Sequence, residues 1–232
     1  MSSNLNCSAR GTFHRSLCKV SALFGAFCVV ALGTSAAQAT ILTVPNTVFA
    51  VGSPSPTGGT IVASQSQPFA TLDYSGTLIS TVVAGDPSNA LGGLDFLYQI
   101  VSDVTSPENI ERITINRYTG YTVNGSFQTP NPGTIAPNTL DRLVNDVIGA
   151  SFNNLLGGPG SLPAGSTSSV IVLQTNAPSF QSTFASLING LTTQVNSYAP
   201  AGQPIPEPAT MVLAAIGVGT LALVARRKQS KA

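Results

Sequence analysis

The chain has 232 residues, only 8% of them charged, and a formal net charge of +1. All three cysteines and the one histidine lie in the first 39 residues, so the body of the chain, residues 40–205, has neither. Such a body cannot build a disulfide framework, a Cys- or His-ligated metal site or a Ser-His-Asp triad. It holds three arginines, no lysine and eight acidic residues, a net charge of −5, and so lacks the basic surface that nucleic-acid binding requires.

Residues 1–39 have the three parts of a secretory signal peptide. Basic residues come first, an apolar core follows over 20–33, and Ala37-Gln38-Ala39 fits an A-x-A cleavage site. We therefore expect export, with Thr40 as the first residue of the mature protein.

The next part, residues 40–198, is predicted to be the folded domain, followed by a linker over 199–205. Serine, threonine, glycine, asparagine and proline are frequent in it, and short runs rich in valine and isoleucine lie between glycine- and proline-containing turns. Such a composition is typical of β-proteins. The sequence therefore predicts an all-β fold, a single antiparallel β-sandwich that is jelly-roll-like.

Alternating side chains mark the clearest strand, at residues 94–102. Leu94, Phe96, Tyr98 and Ile100 recur at every second position, which predicts one buried face. Other strands are predicted at 40–44, 60–65, 69–74, 76–83, 110–116 with Ile113 and Ile115 inward, 121–123, 169–175, 180–191 and 192–197.

Two local signals predict interruptions, and one segment stays open. Pro68 is expected to separate the strands on either side of it, and Asn124-Gly125 is a strong turn dipeptide. Residues 140–152 have apolar positions at helical spacing, but their second half also alternates like a strand.

Residues 206–232 have three parts in a fixed order. The rigid triplet Pro206-Glu207-Pro208 is followed by an apolar run over 209–225 and then by Arg226, Arg227 and Lys228. A helix over the apolar run would be about 25 Å long, which predicts one transmembrane helix. The basic residues are expected to stop transfer and stay cytoplasmic, with the body outside.

This carboxyl-terminal segment resembles the PEP-CTERM sorting signal of Gram-negative and related bacteria, a tail family also called the ice-binding protein C-terminal domain. The resemblance implies that an exosortase recognises Pro206-Glu207-Pro208 and processes the tail. Members are commonly associated with exopolysaccharide or biofilm, which adds exopolysaccharide as a candidate partner. The stretch LGGLDFLYQIVSD, the pair Asp141-Arg142 and SSVIVLQTNA also look like the passengers of many small PEP-CTERM proteins, which favours a strand for 140–152.

Two groups of oxygen-bearing side chains are candidates for a calcium site. Calcium takes six to eight oxygen ligands, and neither group has the spacing of a calcium-binding loop. Structural turn residues are the favoured interpretation, so no metal and no cofactor is expected. The two groups are Asp86, Ser88 and Asn89, and Asp141, Asn145 and Asp146.

Acid pairs and tyrosines are the remaining candidates. Glycoside hydrolysis needs two carboxyl groups across a sugar cleft, and the candidates are Asp95 and Glu111 on strands and Asp103 and Glu108 on a loop. The chain has no tryptophan to stack on a sugar, so we expect no enzyme and no catalytic residue. Tyr98 is predicted to be core, whereas Tyr118 and Tyr121 are expected to be partly exposed and could contact carbohydrate.

Two further interpretations have little support. Asn124-Gly125-Ser126 fits an N-glycosylation acceptor but is expected to be only a turn. The chain has no regularly repeated array of threonines that could bind ice.

Taken together, these features predict an exported protein that its tail holds in the inner membrane. After processing, we expect it at the cell surface or in the extracellular matrix, with a structural or adhesive role. The alternatives are a carbohydrate- or calcium-binding secreted module and a carboxylate-based hydrolase.

Overall fold

The computed structural model of the protein describes residues 39–130, 132–133, 135–153 and 160–202. The regular elements in these residues are thirteen β-strands, and none of the described residues forms a helix that could cross a membrane. The predicted helix over 209–225, its basic end and residues 1–38 of the expected signal peptide lie outside the described residues.

The thirteen strands form two sheets. In chain order they are β1 (Thr40–Ile41), β2 (Asn46–Phe49), β3 (Gly52–Ser53), β4 (Thr60–Ala70), β5 (Ser75–Ala84), β6 (Asp95–Ser102), β7 (Arg112–Ile115), β8 (Val123–Gln128), β9 (Thr139–Arg142), β10 (Ile148–Ser151), β11 (Ile171–Thr175), β12 (Phe180–Asn189) and β13 (Leu191–Pro200). Sheet A has the order β1-β8-β11-β6-β5-β4, with β3 also beside β8, and sheet B has the order β13-β12-β7-β10-β9-β2. Every strand pairing is antiparallel except β3 with β8.

One hydrophobic core draws side chains from both sheets, and hydrogen bonds join the sheets across it. In sheet A, Phe96, Tyr98 and Ile100 are fully buried, so the predicted alternation of this strand is confirmed. The Tyr98 hydroxyl donates to the carbonyl of Tyr198 in sheet B at 2.5 Å. The Tyr198 amide in turn donates to the Ser80 hydroxyl in sheet A at 3.0 Å. These bonds hold the inner faces of the two sheets in one register.

The predicted interruption at Pro68 is wrong. β4 runs without a break from Thr60 to Ala70, and Pro68 pairs with Thr77 of β5. β4 is the edge strand of sheet A. An edge strand tolerates proline because the missing N–H can lie on its unpaired side.

The predicted turn at Asn124-Gly125 is also wrong, because β8 passes straight through it. Gly125 is needed there for close packing. A Cβ at this position would lie 2.8 Å from the Leu140 side chain and 2.9 Å from that of Leu42, both in the core. The glycine therefore marks a close approach between the strand and the core.

The open segment 140–152 forms two strands, β9 and β10, which pair as a hairpin. Its turn carries Asp146 with a positive φ of 58°. At the other end of the domain, β13 continues to Pro200 and Ala199 is fully buried, so the first two residues of the predicted linker belong to sheet B.

Candidate functional site

A groove of about 490 Å³ lies on the outer face of sheet A. Its floor is formed by outward side chains of β4, β5 and β6, and its wall by residues 56–59 of the segment between β3 and β4. We call residues 54–59 the strap. The lining residues are Pro56, Thr57, Gly58, Gly59, Ile61, Ile79, Thr81, Val83, Leu97, Tyr98, Gln99 and Val170, and none of them is charged.

The strap connects opposite edges of sheet A, because β3 pairs with β8 and β4 is the strand at the far edge. It passes close to the end of β5. Gly59 has a φ of +92°, and a Cβ there would lie 2.7 Å from the Ala84 carbonyl and 2.8 Å from the Val83 side chain. Only glycine combines this backbone conformation with so close an approach.

Asp86, just after β5, anchors the strap. Its Oδ1 accepts hydrogen bonds from the Thr57 amide at 3.1 Å and from the Ser88 amide at 3.0 Å. Its Oδ2 accepts from the Ser88 hydroxyl at 2.5 Å and from Gln174 Nε2 on β11 at 3.3 Å. The Ser88 hydroxyl is also 2.9 Å from that of Ser55 in the strap. One carboxylate thus joins the strap, the β5–β6 turn and the centre of sheet A.

Asp95, the first residue of β6, lies beside this anchor and is fully buried. Its Oδ1 accepts from Asn89 Nδ2 at 2.6 Å, and the same amide donates to the carbonyls of Gly93 and Thr175 at 3.1 Å each. Gly93 makes this turn possible, since a Cβ there would lie 2.5 Å from the backbone of Asn176 and Ala177. Oδ2 of Asp95 has no hydrogen-bond donor among the described residues.

The two carboxyl groups have opposite pKa shifts. Burial raises the pKa of Asp95 to about 8; the hydrogen bond with Asp86 and the negative charge of Asp86 raise it further, and the Asn89 bond opposes them. Burial alone would also raise the pKa of Asp86. Hydrogen bonds from Ser88, Asp95 and the backbone amides of Ser88 and Thr57 outweigh it and lower that pKa. At neutral pH the pair therefore holds one proton, on Asp95, which can donate to ionised Asp86.

The arrangement suits a shared proton better than a cation. Asn89 and Gln174 both turn amide N–H donors toward the carboxyl oxygens, and a cation would need oxygen lone pairs there instead. Of the first calcium candidates, Asp86 and Ser88 thus belong to a hydrogen-bonded turn, and Asn89 presents its amide nitrogen. The part of the chain that the structure describes contains no group of three or more acidic, histidine or cysteine side chains that could hold a metal ion.

The second calcium group is divided between two arginines. Arg112 Nη2 contacts both oxygens of Asp141 at 2.6 Å, and its Nη1 donates to Ser151 at 2.5 Å. Arg142 Nη2 is 2.8 Å from Asp146 Oδ1. These carboxylates are neutralised by ion pairs, and the arginines bind neighbouring strands together.

Of the four candidate hydrolytic acids, Glu108 and Glu111 line one pocket, whereas Asp95 and Asp103 lie far apart. Asp95 begins β6, and Asp103 lies just beyond its end, about 26 Å away at 3.3 Å per residue. Glu108 and Glu111 line a different, shallow pocket of about 400 Å³, where Glu108 accepts from Asn189 at 3.0 Å.

The expected exposure of Tyr118 and Tyr121 is wrong: they are 0% and 4% exposed. The Tyr118 hydroxyl is 2.9 Å from that of Tyr98, and Tyr121 donates to the Ala201 carbonyl at 2.6 Å. Burial raises the pKa of both Tyr98 and Tyr118. These tyrosines are core groups: the hydroxyls of Tyr98 and Tyr121 donate to backbone carbonyls, and that of Tyr118 bonds to the Tyr98 hydroxyl. In the possible glycosylation acceptor, Ser126 is fully buried within β8.

Sequence reasoning missed the contacts of the strap residues Ser55 and Thr57 and of Gln174 with the Asp86 turn. Of the residues predicted to direct export and sorting, Ala37, Pro206, Glu207, Pro208, Arg226, Arg227 and Lys228 lie outside the described residues. Ala39 is described, and β1 begins at the next residue, Thr40. Cleavage after Ala39 stays a prediction.

Comparison with known proteins gives one positive finding. A protein-family model described as a PEP-CTERM protein-sorting motif matches residues 204–228. This match spans the triplet, the apolar run and the three basic residues that follow it. No curated protein and no solved structure matches the chain significantly.

Proposed function

We propose that this chain, whose residues 204–228 match a PEP-CTERM protein-sorting motif, is an exported protein that an exosortase sorts through its carboxyl-terminal segment. Its body is a β-sandwich with a structural or adhesive role in the extracellular matrix. The observation that carries the proposal is the motif at 204–228, which begins four residues after the last strand ends at Pro200. A folded β-domain is thereby joined directly to a sorting segment.

The proposed destination is the cell surface or exopolysaccharide, and the proposed role is not catalytic. The distance between Asp95 and Asp103 supports a non-enzymatic body, as does the neutralisation of Asp141 and Asp146 by arginines. In the producing bacterium, antibody against the body should detect it in the matrix fraction. In a strain without exopolysaccharide, we expect it in the medium instead. An identical distribution in both strains would contradict a matrix role.

A second candidate function is binding of an uncharged glycan in the groove. The groove is open and uncharged, and the side chains of Thr57, Thr81 and Gln99 place polar atoms along aliphatic walls. The Thr81 hydroxyl also bonds Ser64 and Gln99 Nε2 also donates to the Ser168 carbonyl, so a ligand would use the remaining bonding capacity of these groups. Neutral sugars present hydroxyls and apolar C–H faces, which such a surface can contact. We expect Thr81→Val together with Gln99→Leu to reduce retention on the organism's purified exopolysaccharide. Thr192→Val, at an exposed position of β13, is the matched control and should bind like the wild type.

A further inference from the structure

The strap is held over sheet A by contacts that converge on one carboxylate. Asp86 receives the Thr57 amide from the strap, the Ser88 hydroxyl and amide from the turn, and Gln174 from β11. Ser88 also contacts Ser55. Ser55 is also bonded to Ser53, but the contacts that tie the strap to the β5–β6 turn and to β11 depend on the position of Asp86.

Asp95 is the neighbour that decides whether this position is stable. It is fully buried, and its Oδ2 lacks a donor among the described residues, although a buried acceptor without a partner is costly. A proton on Asp95 removes this cost, because it turns the orphan acceptor into a donor to Asp86. Without the proton, two negative charges face each other in a buried site.

No cation is placed to offset those charges. The strap, the β5–β6 turn and strands β4, β5 and β11 contain no arginine, lysine or histidine. Asp86 is the one acidic side chain in these segments. Tyr98 of β6 also borders the groove, but its hydroxyl bonds to Tyr118 and to the Tyr198 carbonyl in the core. The ionisation of Asp95 is therefore opposed by a charge and compensated by neutral amides only.

We propose that Asp86 and Asp95 form a proton-dependent clasp that keeps the strap closed at neutral pH and releases it in alkaline medium. Loss of the Asp95 proton drives the two carboxylates apart, and Asp86 moves with the strap contacts that it accepts. Because residues 56–59 form a wall of the groove, release widens the groove. The pKa of Asp95, raised to about 8, puts this transition in the mildly alkaline range.

The effect of strap release on ligand binding rests on the proposed glycan site. The clasp itself does not depend on that site, so the test of the clasp uses no glycan. Ser55 is buried in the strap, and Ser64 is exposed on β4. In the full chain with Cys7, Cys18 and Cys28 changed to serine, the reporter variants are Ser55→Cys and, as reference, Ser64→Cys. The ratio of their labelling rates with a thiol reagent corrects for the pH dependence of an exposed thiolate. The same ratio measured with Asp95→Asn corrects for the raised pKa that burial gives the Ser55→Cys thiol.

We expect the Ser55→Cys to Ser64→Cys labelling ratio to rise about tenfold between about pH 6 and about pH 9.5. With Asp95→Asn added, the ratio should rise much less, because asparagine remains neutral and can still donate to Asp86. Asp103→Asn, at the exposed far end of β6, is the matched control and should retain the rise. A ratio that is flat in the otherwise unchanged chain, or that rises equally with Asp95→Asn, overturns the proposal.

A second measurement needs no folded variant. Infrared difference spectra of the wild-type chain should show the carbonyl band of a protonated, buried carboxylic acid at about pH 6, and that band should disappear above about pH 9. A band that is absent at neutral pH overturns the clasp. Failure of either test leaves the glycan-binding assay unaffected, so the two proposals can fail separately.

Discussion

Gly149 is a position where one added methyl group should break an ion pair between two neighbouring strands. It lies on β10 between Arg112 of β7 and Asp141 of β9, and its missing side chain leaves room for their ion pair to close across the strand. A Cβ at this position would overlap Arg112 Nη2 and Asp141 Oδ1. Gly149→Ala should therefore break the ion pair while leaving both charges partly buried, at side-chain exposures of 23% and 8%.

The expected loss of stability in Gly149→Ala follows from two opposing contributions to the free energy of unfolding. Separating a largely buried, bidentate pair costs about 3 kcal/mol, at the lower end of the range because Arg112 is partly exposed. Replacing glycine within a strand recovers about 0.5–1 kcal/mol of backbone entropy. The free energy of unfolding should fall by about 2 kcal/mol, and the midpoint of thermal unfolding by about 4–8 °C.

Thermal and urea unfolding of Gly149→Ala beside Gly202→Ala test this reasoning. Among the described residues, no atom lies within 4 Å of the Cβ position of Gly202, so its replacement should change the free energy of unfolding by less than about 0.5 kcal/mol. If Gly149→Ala is as stable as Gly202→Ala, the ion pair has another way to close and the argument from the glycine is refuted.

Two further changes probe the buried polar groups. The pKa of Asp95 is about 8 in the folded chain, higher than the ordinary value of about 3.9. Its contribution to stability is therefore fully present below about pH 4 and is lost as pH rises to about 8. Urea unfolding at several pH values should show this decline in the wild type, and Asp95→Asn should remove it. If the free energy of unfolding depends on pH in Asp95→Asn as it does in the wild type, Asp95 is not the titrating group. The lowered pKa of Asp86 acts in the opposite sense, because its contribution to stability is lost as pH falls below about 4. Tyr98→Phe leaves the Tyr198 carbonyl without the donor that the Tyr98 hydroxyl supplies. Urea unfolding should show a free energy of unfolding lower by about 1–3 kcal/mol. A loss below about 0.5 kcal/mol would mean that this bond does not join the sheets.

The alternation in β6 and β7 could be predicted from the sequence because it depends on neighbouring residues alone. Both strands have apolar side chains at every second position, and these positions are buried. The errors at Pro68 and Gly125 have a common cause. Each residue usually indicates a strand break or a turn, but at these two positions in the sheets each one lies within a continuous strand. Proline is accommodated at an edge, and Gly125 makes room for Leu42 and Leu140.

The candidate site could be predicted only in part, because its contacts join distant positions. Asp86, Ser88 and Asn89 are close in sequence and were found as a group. The partners that determine their chemistry are 29 residues before Asp86, at Thr57, and 88 residues after it, at Gln174. Asp95 looked like an ordinary outward residue of β6, and only the strap and the turn explain its burial.

Processing of the chain at its sorting segment tests the central claim most directly. We would measure intact mass and cell fraction of the wild type, of Glu207→Ala within the PEP triplet, and of Glu111→Ala as a control outside the motif. The account predicts that the wild type and the control lose the carboxyl-terminal segment and leave the inner membrane, whereas Glu207→Ala keeps both its tail and its membrane location. If all three remain full-length at the carboxyl terminus and membrane-bound, the segment is a plain anchor and the proposed release of the body is contradicted.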